Sequence, residues 1–334
     1  MAQDYSKCYQ GFQAILDGDK YECKLVEKSK KKAKEELHED DKERDAAVEQ
    51  LRTWIKEQPH LTACTETTFL LQFLRRCKFS QLEARKMFDN FHTKICDQLP
   101  FWMCNIDVHK PALRDLITNQ RIYVHLPHRD DEGRRIFLCQ LGRFDVGKDI
   151  LYNFHDYIAY SGVTMMVSNR EEETQVNGYV IFLDLTDQTM KHMTFMPIEF
   201  RRKLFGLFSN QLPARIKSMI MYNAGPVWET MWNLAGHFVS AKIKERMSYC
   251  KTMEEVYKLI PMRCLPREYL PDDYNGPCAG NLADIASYLY SELSKPVVRD
   301  RILELSTKYF KVDESKRPVI TDAEVASFRK LHVD

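Results

Sequence analysis

Residues that could do catalytic or metal chemistry are few in this 334-residue chain. His125 and His128 stand close together, but on a β-strand this spacing places the two rings on opposite faces. We interpret them as surface histidines and predict no metal site. Asp184 and Asp187 could form a carboxylate pair for acid–base catalysis, yet capping of a strand end is the simpler role for both.

Sequence motifs of enzymes are also missing. The chain contains no GxSxG, HExxH, GxxxxGKS/T or GxGxxG motif, and its 12 glycines leave little room for a phosphate-cradling loop. The 10 cysteines are scattered without a CxxC pair or a zinc-like spacing. We therefore expect no catalytic residues, no metal and no cofactor, and we expect reduced cysteines, as in the cytosol.

Charge and hydropathy place further limits on function. Lys and Arg number 49 and Asp and Glu number 48, so the net charge of +1 gives no global sign of nucleic-acid binding. Any anion site must come from local clustering of basic residues. No segment approaches the ~20 apolar residues that a membrane span needs, and the N-terminus lacks the apolar stretch of a signal peptide. We expect a soluble, cytoplasmic monomer without nucleic-acid partners.

The elements that must position a site begin with helices. Residues 24–45 combine mixed charges with strong helix formers, which predicts a solvated helix in a charged N-terminal extension, residues 1–44. Apolar residues at helical spacing then predict a small all-helical subdomain over residues 45–100. Its expected inward residues are Val48, Leu51 and Ile55; Phe69, Leu70, Phe73 and Leu74, after Thr65 as N-cap; and Leu82, Met87, Phe91 and Ile95, after a capping box at Ser80.

From Arg121 onward helices and strands alternate, which predicts an α/β sheet with helical crossovers in a domain at 101–278. The charged run at 170–173 is expected to be exposed. Two further helices form a C-terminal extension at 279–334. The predicted elements are a hairpin with its turn at 130–133, strands at 178–185, 219–222 and 246–250, and helices at 155–169, 197–207, 227–234, 281–293 and 297–309.

Short motifs occur in a fixed order along the same region. They are FLLQFLRRCKF (69–79), QVNG (175–178) followed by IFLD (181–184), LPARIK (212–217), KIKER (242–246) and LPDDYNG (270–276). Together they resemble the CRAL-TRIO (Sec14-like) family, in particular its alpha-tocopherol transfer protein and retinaldehyde-binding protein subgroup. The resemblance implies a lipid-binding α/β domain in which a mixed sheet floors an apolar pocket and a helix forms a gate.

The resemblance also implies which residues line the pocket, although by composition these positions are ordinary core. The gate matches VWETMW at 227–232, whose apolar stripe is equally consistent with core packing and with a lid. No cofactor is expected beyond a bound apolar lipid. The implied ligand-binding residues are Ile158, Ser161, Met165, Tyr179, Ile181, Leu183, Leu207, Phe208, Met219, Trp228, Met231 and Trp232.

A basic rim for phosphoinositide head groups is the second implied site. The family usually has Arg-Ala-Arg in the entry helix, whereas this chain has Cys77 at the second arginine, so Arg76 or Lys78 must replace it. Arginine suits bidentate phosphate binding, and lysine supplies a point charge. The implied phosphoinositide-binding residues are Arg215, Lys217, Lys242, Arg246 and Arg76.

These features favour a cytoplasmic carrier that shields an apolar ligand and releases it at membranes, where it binds transiently through phosphatidylinositol bisphosphate. A second hypothesis is a phosphoinositide-sensing recruitment module without ligand transfer. A third is an enzyme that acts on the bound lipid. The ligand itself stays open among tocopherol, retinoid, carotenoid and phospholipid.

Overall fold

The computed structural model describes residues 4–97, 99–147, 150–200, 203, 212–236 and 239–318 of the chain. The N-terminal helices are α1 (Gly11–Asp17), α2 (Glu27–Leu37), α3 (Arg44–Lys56), α4 (Thr67–Arg76), α5 (Gln81–Asn90), α6 (Pro100–Met103) and α7 (Pro111–Asp115), with π-helical turns at Phe91–Cys96 and Leu116–Gln120. The later helices are α8 (Ile150–Ser168), α9 (Glu172–Asn177), α10 (Met190–Thr194), α11 (Pro226–Ala235), α12 (Ala241–Lys244), α13 (Met253–Tyr257), α14 (Leu282–Ser294) and α15 (Pro296–Lys308).

The predicted N-terminal helices pack around aromatic side chains of α4, α5 and the π-helical turn that follows α5. Rings of Phe69, Phe73, Phe88 and Phe91 form tilted and edge-on pairs whose centroids lie 4.9–6.3 Å apart. Such pairs add to the stabilisation that burial of their apolar area already gives. The side chain of Ile95, predicted to point inward, lies outside the described residues.

Two details of these helices differ from the prediction. Helix α4 starts after Glu66 as its N-cap, one residue later than Thr65. Leu82 is 50% exposed rather than buried. The inward face of α5 is set by Ala84 and Phe88, one helical turn apart, and Leu82 projects away from that face.

The charged segment 24–45 is not the solvated helix that its composition predicts. Leu25, Ser29, Ala33 and Leu37 are all buried, and their spacing of four residues places them on one stripe. The apolar members of this stripe pack against Val176 of α9. Only the opposite face of α2 carries its charges into solvent, and α2 ends before α3 begins, so the segment contains two helices.

A five-stranded mixed sheet forms the centre of the domain. Its strands pair in the order β2 (Tyr123–Arg129), β3 (Arg135–Gln140), β4 (Tyr179–Asp184), β5 (Ile216–Tyr222) and β6 (Met247–Cys250). Strands β2 and β3 form the predicted antiparallel hairpin, and the other neighbours are parallel, so the predicted mixed α/β sheet is confirmed. A separate antiparallel pair, β1 (Leu61–Thr62) and β7 (Lys311–Val312), joins the C-terminal extension to the helical region.

Helix α8 lies over one face of this sheet and begins five residues before the predicted start at His155. Gly162 allows close packing against α6, because a Cβ atom there would lie 1.6 Å from the backbone oxygen of Trp102. Helices α11, α14 and α15 match their predictions to within about two residues. Of the helix predicted at 197–207, residues 198–200 and 203 are helical, and 201–202 and 204–207 lie outside the described residues.

The charged run at 170–173 was expected to be exposed, and this expectation is wrong. Arg170 and Glu171 are each only 2% exposed. Glu171 Oε2 accepts hydrogen bonds from Arg129 Nη2 and Arg135 Nη2, both at 2.7 Å. Burial alone would raise the pKa of Glu171, but the charges of these arginines lower it to about 2. The charges are tolerated inside because each has partners from distant segments.

Arg75 forms the centre of a second buried ion network. Its guanidinium donates to both carboxylate oxygens of Glu39, at 2.8 and 2.7 Å, and to Glu172 Oε1 at 2.9 Å. Gln175 Oε1 accepts a further bond at 2.8 Å. Burial alone would raise the pKa of Glu39, but the hydrogen bonds and charges of Arg75 and Arg44 outweigh it and lower the pKa. This network fixes the segment after α2 to α4 and α9.

Candidate functional site

A cavity of about 300 Å³ lies between the sheet and α8. Its floor is formed by alternate residues of the strands, which the pleat directs to one face. One row of paired residues crosses all five strands: His125, Phe137, Ile181, Met219 and Met247. The cavity volume is at the lower end of the range for small-molecule sites, and its wall is predominantly apolar.

Two helices complete the wall of this cavity. Helix α8 contributes Ile158, Ser161 and Met165, whose spacing of three and four residues places them on one helical face. Helix α11 contributes Trp228 and Trp232, whose rings stack with centroids 6.2 Å apart and planes 19° apart. The apolar stripe of α11 therefore borders the cavity through both tryptophans, and Trp228 also packs in a small core cluster with Leu185 and Met221.

The residues implied by the family resemblance are largely brought together by this cavity. Those that line it are Ile158, Ser161, Met165, Tyr179, Ile181, Leu183, Met219, Trp228 and Trp232. Leu207 and Phe208 lie outside the described residues, as does the side chain of Met231. Binding of a ligand by any of these residues remains a prediction.

Further lining residues were missed by the sequence reasoning. Strand alternation could have found several, because Tyr123 and His125 on β2 pair with Cys139 and Phe137 on β3. The residues missed are Trp102, Tyr123, His125, Phe137, Cys139, Leu141, Phe144, Tyr157, Gln188, His192, Phe195, Met196, Leu212, Ala214, Ile216, Val239, Ile243 and Met247.

His125 is buried and is not the surface histidine that the sequence predicts. Its side chain is 7% exposed and lies in the cavity floor, with its ring centroid 4.5 Å from that of Phe137. Burial, reinforced by the nearby charge of Arg135, lowers the pKa of His125 to about 3. The imidazole is therefore neutral at physiological pH. Asp184 does act at a strand end, accepting from the backbone N–H of Thr186 at 3.0 Å.

A second cavity, also of about 300 Å³, opens beside the first and has a basic lining. We call it the basic cleft and define it by Arg76, Lys78, Arg215, Lys217, Lys242 and Arg246. It contains every residue that the resemblance implied for phosphoinositide binding. Arg76 and Lys78, the two candidates to replace the arginine lost at Cys77, both line it.

The arginines of the basic cleft are held in place by backbone carbonyl groups. Arg76 Nε donates to Ala214 O at 3.1 Å, Arg215 donates to Val176 O, and Arg246 donates to Ile216 O. Burial and the surrounding cations lower the pKa of Lys242. Burial and Arg215 lower the pKa of Lys217. Burial is the larger cause of both pKa shifts, and like charges close together add to it by destabilising the protonated lysine. An anion in the cleft would relieve this repulsion.

One carboxylate already lies in the basic cleft. Glu36 Oε2, on α2, accepts from Arg215 Nη2 at 2.9 Å and from Lys217 Nζ at 3.3 Å. Burial would raise the pKa of Glu36, but these two cations lower it. The side chain is still 43% exposed, so the contact is partly screened by solvent.

The cavity and the basic cleft share a wall. Leu212, Ala214, Ile216 and Ile243 line both. Residues 214–217 alternate between them, since Ala214 and Ile216 reach the cavity while Arg215 and Lys217 line the cleft. A displacement of this segment would therefore change the shape of both the cavity and the basic cleft.

Metal chemistry and membrane spanning find no support in the described part of the chain. No group of three or more His, Cys, Asp or Glu side chains there could hold a metal ion. Across the same residues, no helix has both the length and the apolar composition to cross a bilayer.

A mixed sheet that floors an apolar cavity, with helices as walls, defines an α/β domain of the small-molecule-binding class. Residues 119–269 match the family model for the CRAL/TRIO domain, and residues 40–113 match the model for a Pinta-like UBA domain. Residues 119–269 are therefore similar to the CRAL/TRIO domain, and the resemblance seen in the motifs of this region is confirmed.

Two named relatives are similar to this chain over most of its length. The human alpha-tocopherol transfer protein-like protein is 29% identical over 252 residues, which cover 75% of this chain and 71% of the relative. Clavesin-1 of Xenopus laevis is 22% identical over 240 residues, covering 70% and 67%. The crystal structure of Sfh5 matches with a TM-score of 0.48 and 11% identity, covering 81% of this chain and 98% of that one.

Proposed function

We propose that this protein carries an apolar lipid in the cavity and docks reversibly on anionic membranes through the basic cleft. The observation that carries the proposal is the row of residues, apolar except for His125, that crosses all five strands beneath α8 and α11. The name of the human relative, an alpha-tocopherol transfer protein-like protein, points to the same class of function.

The energetics of lipid uptake explain why such a cavity must be selective. Burying roughly 400 Å² of hydrocarbon at ~25 cal/mol per Å² is worth about 10 kcal/mol for a ligand that comes from water. A ligand that comes from a bilayer gains almost none of this, because it is already in hydrocarbon. Shape and a few polar contacts must then decide which lipid is bound, and the flexible Met165, Met219 and Met247 allow the wall to adapt.

Ligand entry requires part of the wall to move. Helix α11 is the candidate gate, because its stacked Trp228 and Trp232 line the cavity and the core cluster that Trp228 joins is small. An exposed tryptophan pair would be costly in water but favourable at a membrane interface, where indole rings are enriched. We therefore expect α11 to open at the membrane rather than in solution.

Docking is assigned to the basic cleft, with a phosphoinositide head group as the anion. Each basic residue near an anionic membrane surface contributes about 1 kcal/mol, so the cleft provides reversible binding rather than anchoring. The wall shared through Ala214 and Ile216 offers a route by which an anion in the cleft could alter the cavity. Release of lipid on docking is the consequence that this geometry favours.

A bulky residue in the cavity floor tests the carrier proposal. Ile181→Trp should reduce uptake of the apolar fluorophore diphenylhexatriene at least about tenfold, because the indole occupies space that the ligand needs. Leu259→Trp is the matched control, since Leu259 is exposed and lies outside the cavity. Uptake is measured by fluorescence titration of both variants after thermal melts confirm that they fold. Equal uptake by wild type and a folded Ile181→Trp variant would contradict the proposal.

The carboxylate in the basic cleft gives a second test. Glu36 holds two of the cations that the head group would need, so Glu36→Gln should tighten binding to phosphatidylcholine vesicles containing phosphatidylinositol bisphosphate by about twofold to fivefold. Glu35→Gln is the control: Glu35 also lines the cleft, but its ion pair is with Lys31 on the same helix. Vesicle sedimentation measures both. Equal gains in vesicle binding by the two variants would mean that only the net charge matters. The contact of Glu36 with Arg215 and Lys217 would then have no role in binding.

A phosphoinositide-sensing module without ligand transfer is the main alternative. It keeps the basic cleft but assigns no function to the apolar cavity. The module predicts normal vesicle binding together with no uptake of diphenylhexatriene by the wild-type protein. An enzyme acting on the bound lipid would instead convert an added ligand into product, which chromatography of the extracted lipid would detect.

A further inference from the structure

The cavity floor contains one polar side chain whose position is unusual for an apolar site. His125 lies on β2 in the row that crosses the sheet, and its ring packs against Phe137 at 4.5 Å and Tyr179 at 6.1 Å between centroids. Its backbone oxygen accepts from Tyr9 Oη at 2.6 Å, which holds the strand in place. Within the described residues the imidazole itself has no hydrogen-bond partner.

Several other polar side chains of the cavity are already engaged by the protein. Gln188 Oε1 and Trp228 Nε1 are also buried without a hydrogen-bond partner among the described residues, but both residues lie off the strands that form the floor. Ser161 Oγ accepts from Trp102 Nε1 at 2.9 Å and donates to Ile158 O at 2.8 Å. The hydroxyl of Tyr179 donates to Asn169 Oδ1 at 2.5 Å, behind the cavity wall. His192 has both ring nitrogens bonded, one to Phe144 O and the other to Thr189. His125 is therefore the floor residue best placed to bond a ligand.

A neutral imidazole offers one N–H donor and one acceptor nitrogen. Burial and the charge of Arg135 keep the pKa of His125 near 3, so both functions are present at physiological pH. A buried polar group without a partner costs about 1–3 kcal/mol, and a complementary group on the ligand removes this cost. A hydroxyl group can accept from the N–H or donate to the bare nitrogen, whichever tautomer is present.

We propose that His125 binds a hydroxyl group of the carried lipid and so selects a hydroxylated apolar ligand over a plain hydrocarbon. This inference rests on the proposed carrier function and specifies its ligand class. The hydroxyl would lie on the floor beside Phe137, with the hydrocarbon extending beneath α8 and α11. His125 acts as a specificity-determining residue, since most of the binding area remains apolar.

Phytanol and phytane make a matched test, because they share one branched hydrocarbon skeleton and differ only in the hydroxyl group. Each displaces diphenylhexatriene from the full-length protein in a fluorescence titration. We expect phytanol to bind about tenfold more tightly than phytane in the wild type, which corresponds to about 1.4 kcal/mol. His125→Phe should reduce this preference to less than about twofold while phytane binding is kept. His125→Leu repeats the test with a smaller side chain if the phenyl ring disturbs folding.

His128→Phe is the control, because it makes the same change on the same strand at a residue that does not line the cavity. It should leave the preference for phytanol unchanged. Equal binding of phytanol and phytane by the wild type, or an unchanged preference in His125→Phe, would overturn the role of His125 and leave the carrier proposal standing. Failure of phytane and diphenylhexatriene alike to bind would instead contradict the carrier proposal itself.

Discussion

Lys242→Glu should weaken binding to vesicles containing phosphatidylinositol bisphosphate by about thirtyfold, while Lys244→Glu binds nearly as the wild type. The charge changes by two units, and at about 1 kcal/mol per unit near an anionic surface the loss is about 2 kcal/mol. Both lysines lie on α12, but only Lys242 lines the basic cleft. Net charge and helix propensity are therefore matched between the two variants.

Lys242 is the informative position because it has no structural task in the fold. The cleft arginines Arg76, Arg215 and Arg246 hold backbone carbonyl groups, so their removal would also disturb the shared wall. Lys242 has no carboxylate partner among the described residues, and its burial is slight. Vesicle sedimentation at several salt concentrations measures the effect, which should shrink as salt screens the cleft. Equal losses for Lys242→Glu and Lys244→Glu would show that the cleft is not the docking site.

Arg75→Ala should lower the free energy of unfolding by about 3–5 kcal/mol. The substitution leaves the carboxylates of Glu39 and Glu172 buried without the guanidinium that bonds them both. Arg44 Nε would still donate to Glu39 Oε1 at 2.6 Å. Among the described residues, however, Arg44 makes no contact with Glu172, whose partner is Arg75. Urea denaturation of the purified protein measures the loss.

The matched control for Arg75 is Arg263→Ala, which also removes an arginine from an ion pair. Arg263 Nη2 lies 2.6 Å from Asp131 Oδ1, but the Asp131 side chain is 79% exposed and that of Arg263 is 40% exposed. Exposed pairs of this kind contribute about 0–1 kcal/mol, so the control should be nearly neutral. A loss below about 1 kcal/mol for Arg75→Ala would contradict the account of the network. The consequence for function is that Arg75 also fixes the chain near Glu36, the carboxylate in the basic cleft.

Periodicity was enough to predict the central sheet and most helices, because each of these elements shows a clear apolar pattern. Strand β4 is a continuous apolar run, and the helix around Trp228 shows a stripe at three and four residues. The prediction for the N-terminal segment 24–45 was wrong because its apolar pattern is weak. Its stripe of Leu25, Ala33 and Leu37 is narrow and surrounded by Lys and Glu, so mean composition concealed it.

The buried charges could not have been foreseen from local sequence. Glu171 stands in a run of charged residues that looks exposed, and its partners Arg129 and Arg135 lie on the hairpin, far away in sequence. Only the three-dimensional fold shows that the charges compensate one another. The prediction of an exposed His125 was wrong for a similar reason, since its burial depends on the pairing of β2 with β3 and on the packing of α8.

Pocket residues on β4 and α8 were reached only through the family motifs, since their composition is that of ordinary core. Ile181 and Met165 carry no feature that separates a cavity wall from packed interior. The basic cleft also came from the family motifs, and it was clearer because Arg215, Lys217, Lys242 and Arg246 are all present. Glu36 in the cleft could not be predicted, because it comes from a helix that seemed unconnected to it.

The most direct measurement of the carrier account is mass spectrometry of an organic extract from natively purified protein. We expect a near-stoichiometric apolar lipid, bearing a hydroxyl group, from the wild type and little or none from Ile181→Trp. The absence of any apolar lipid from folded wild-type protein, or equal amounts from wild type and Ile181→Trp, would contradict it.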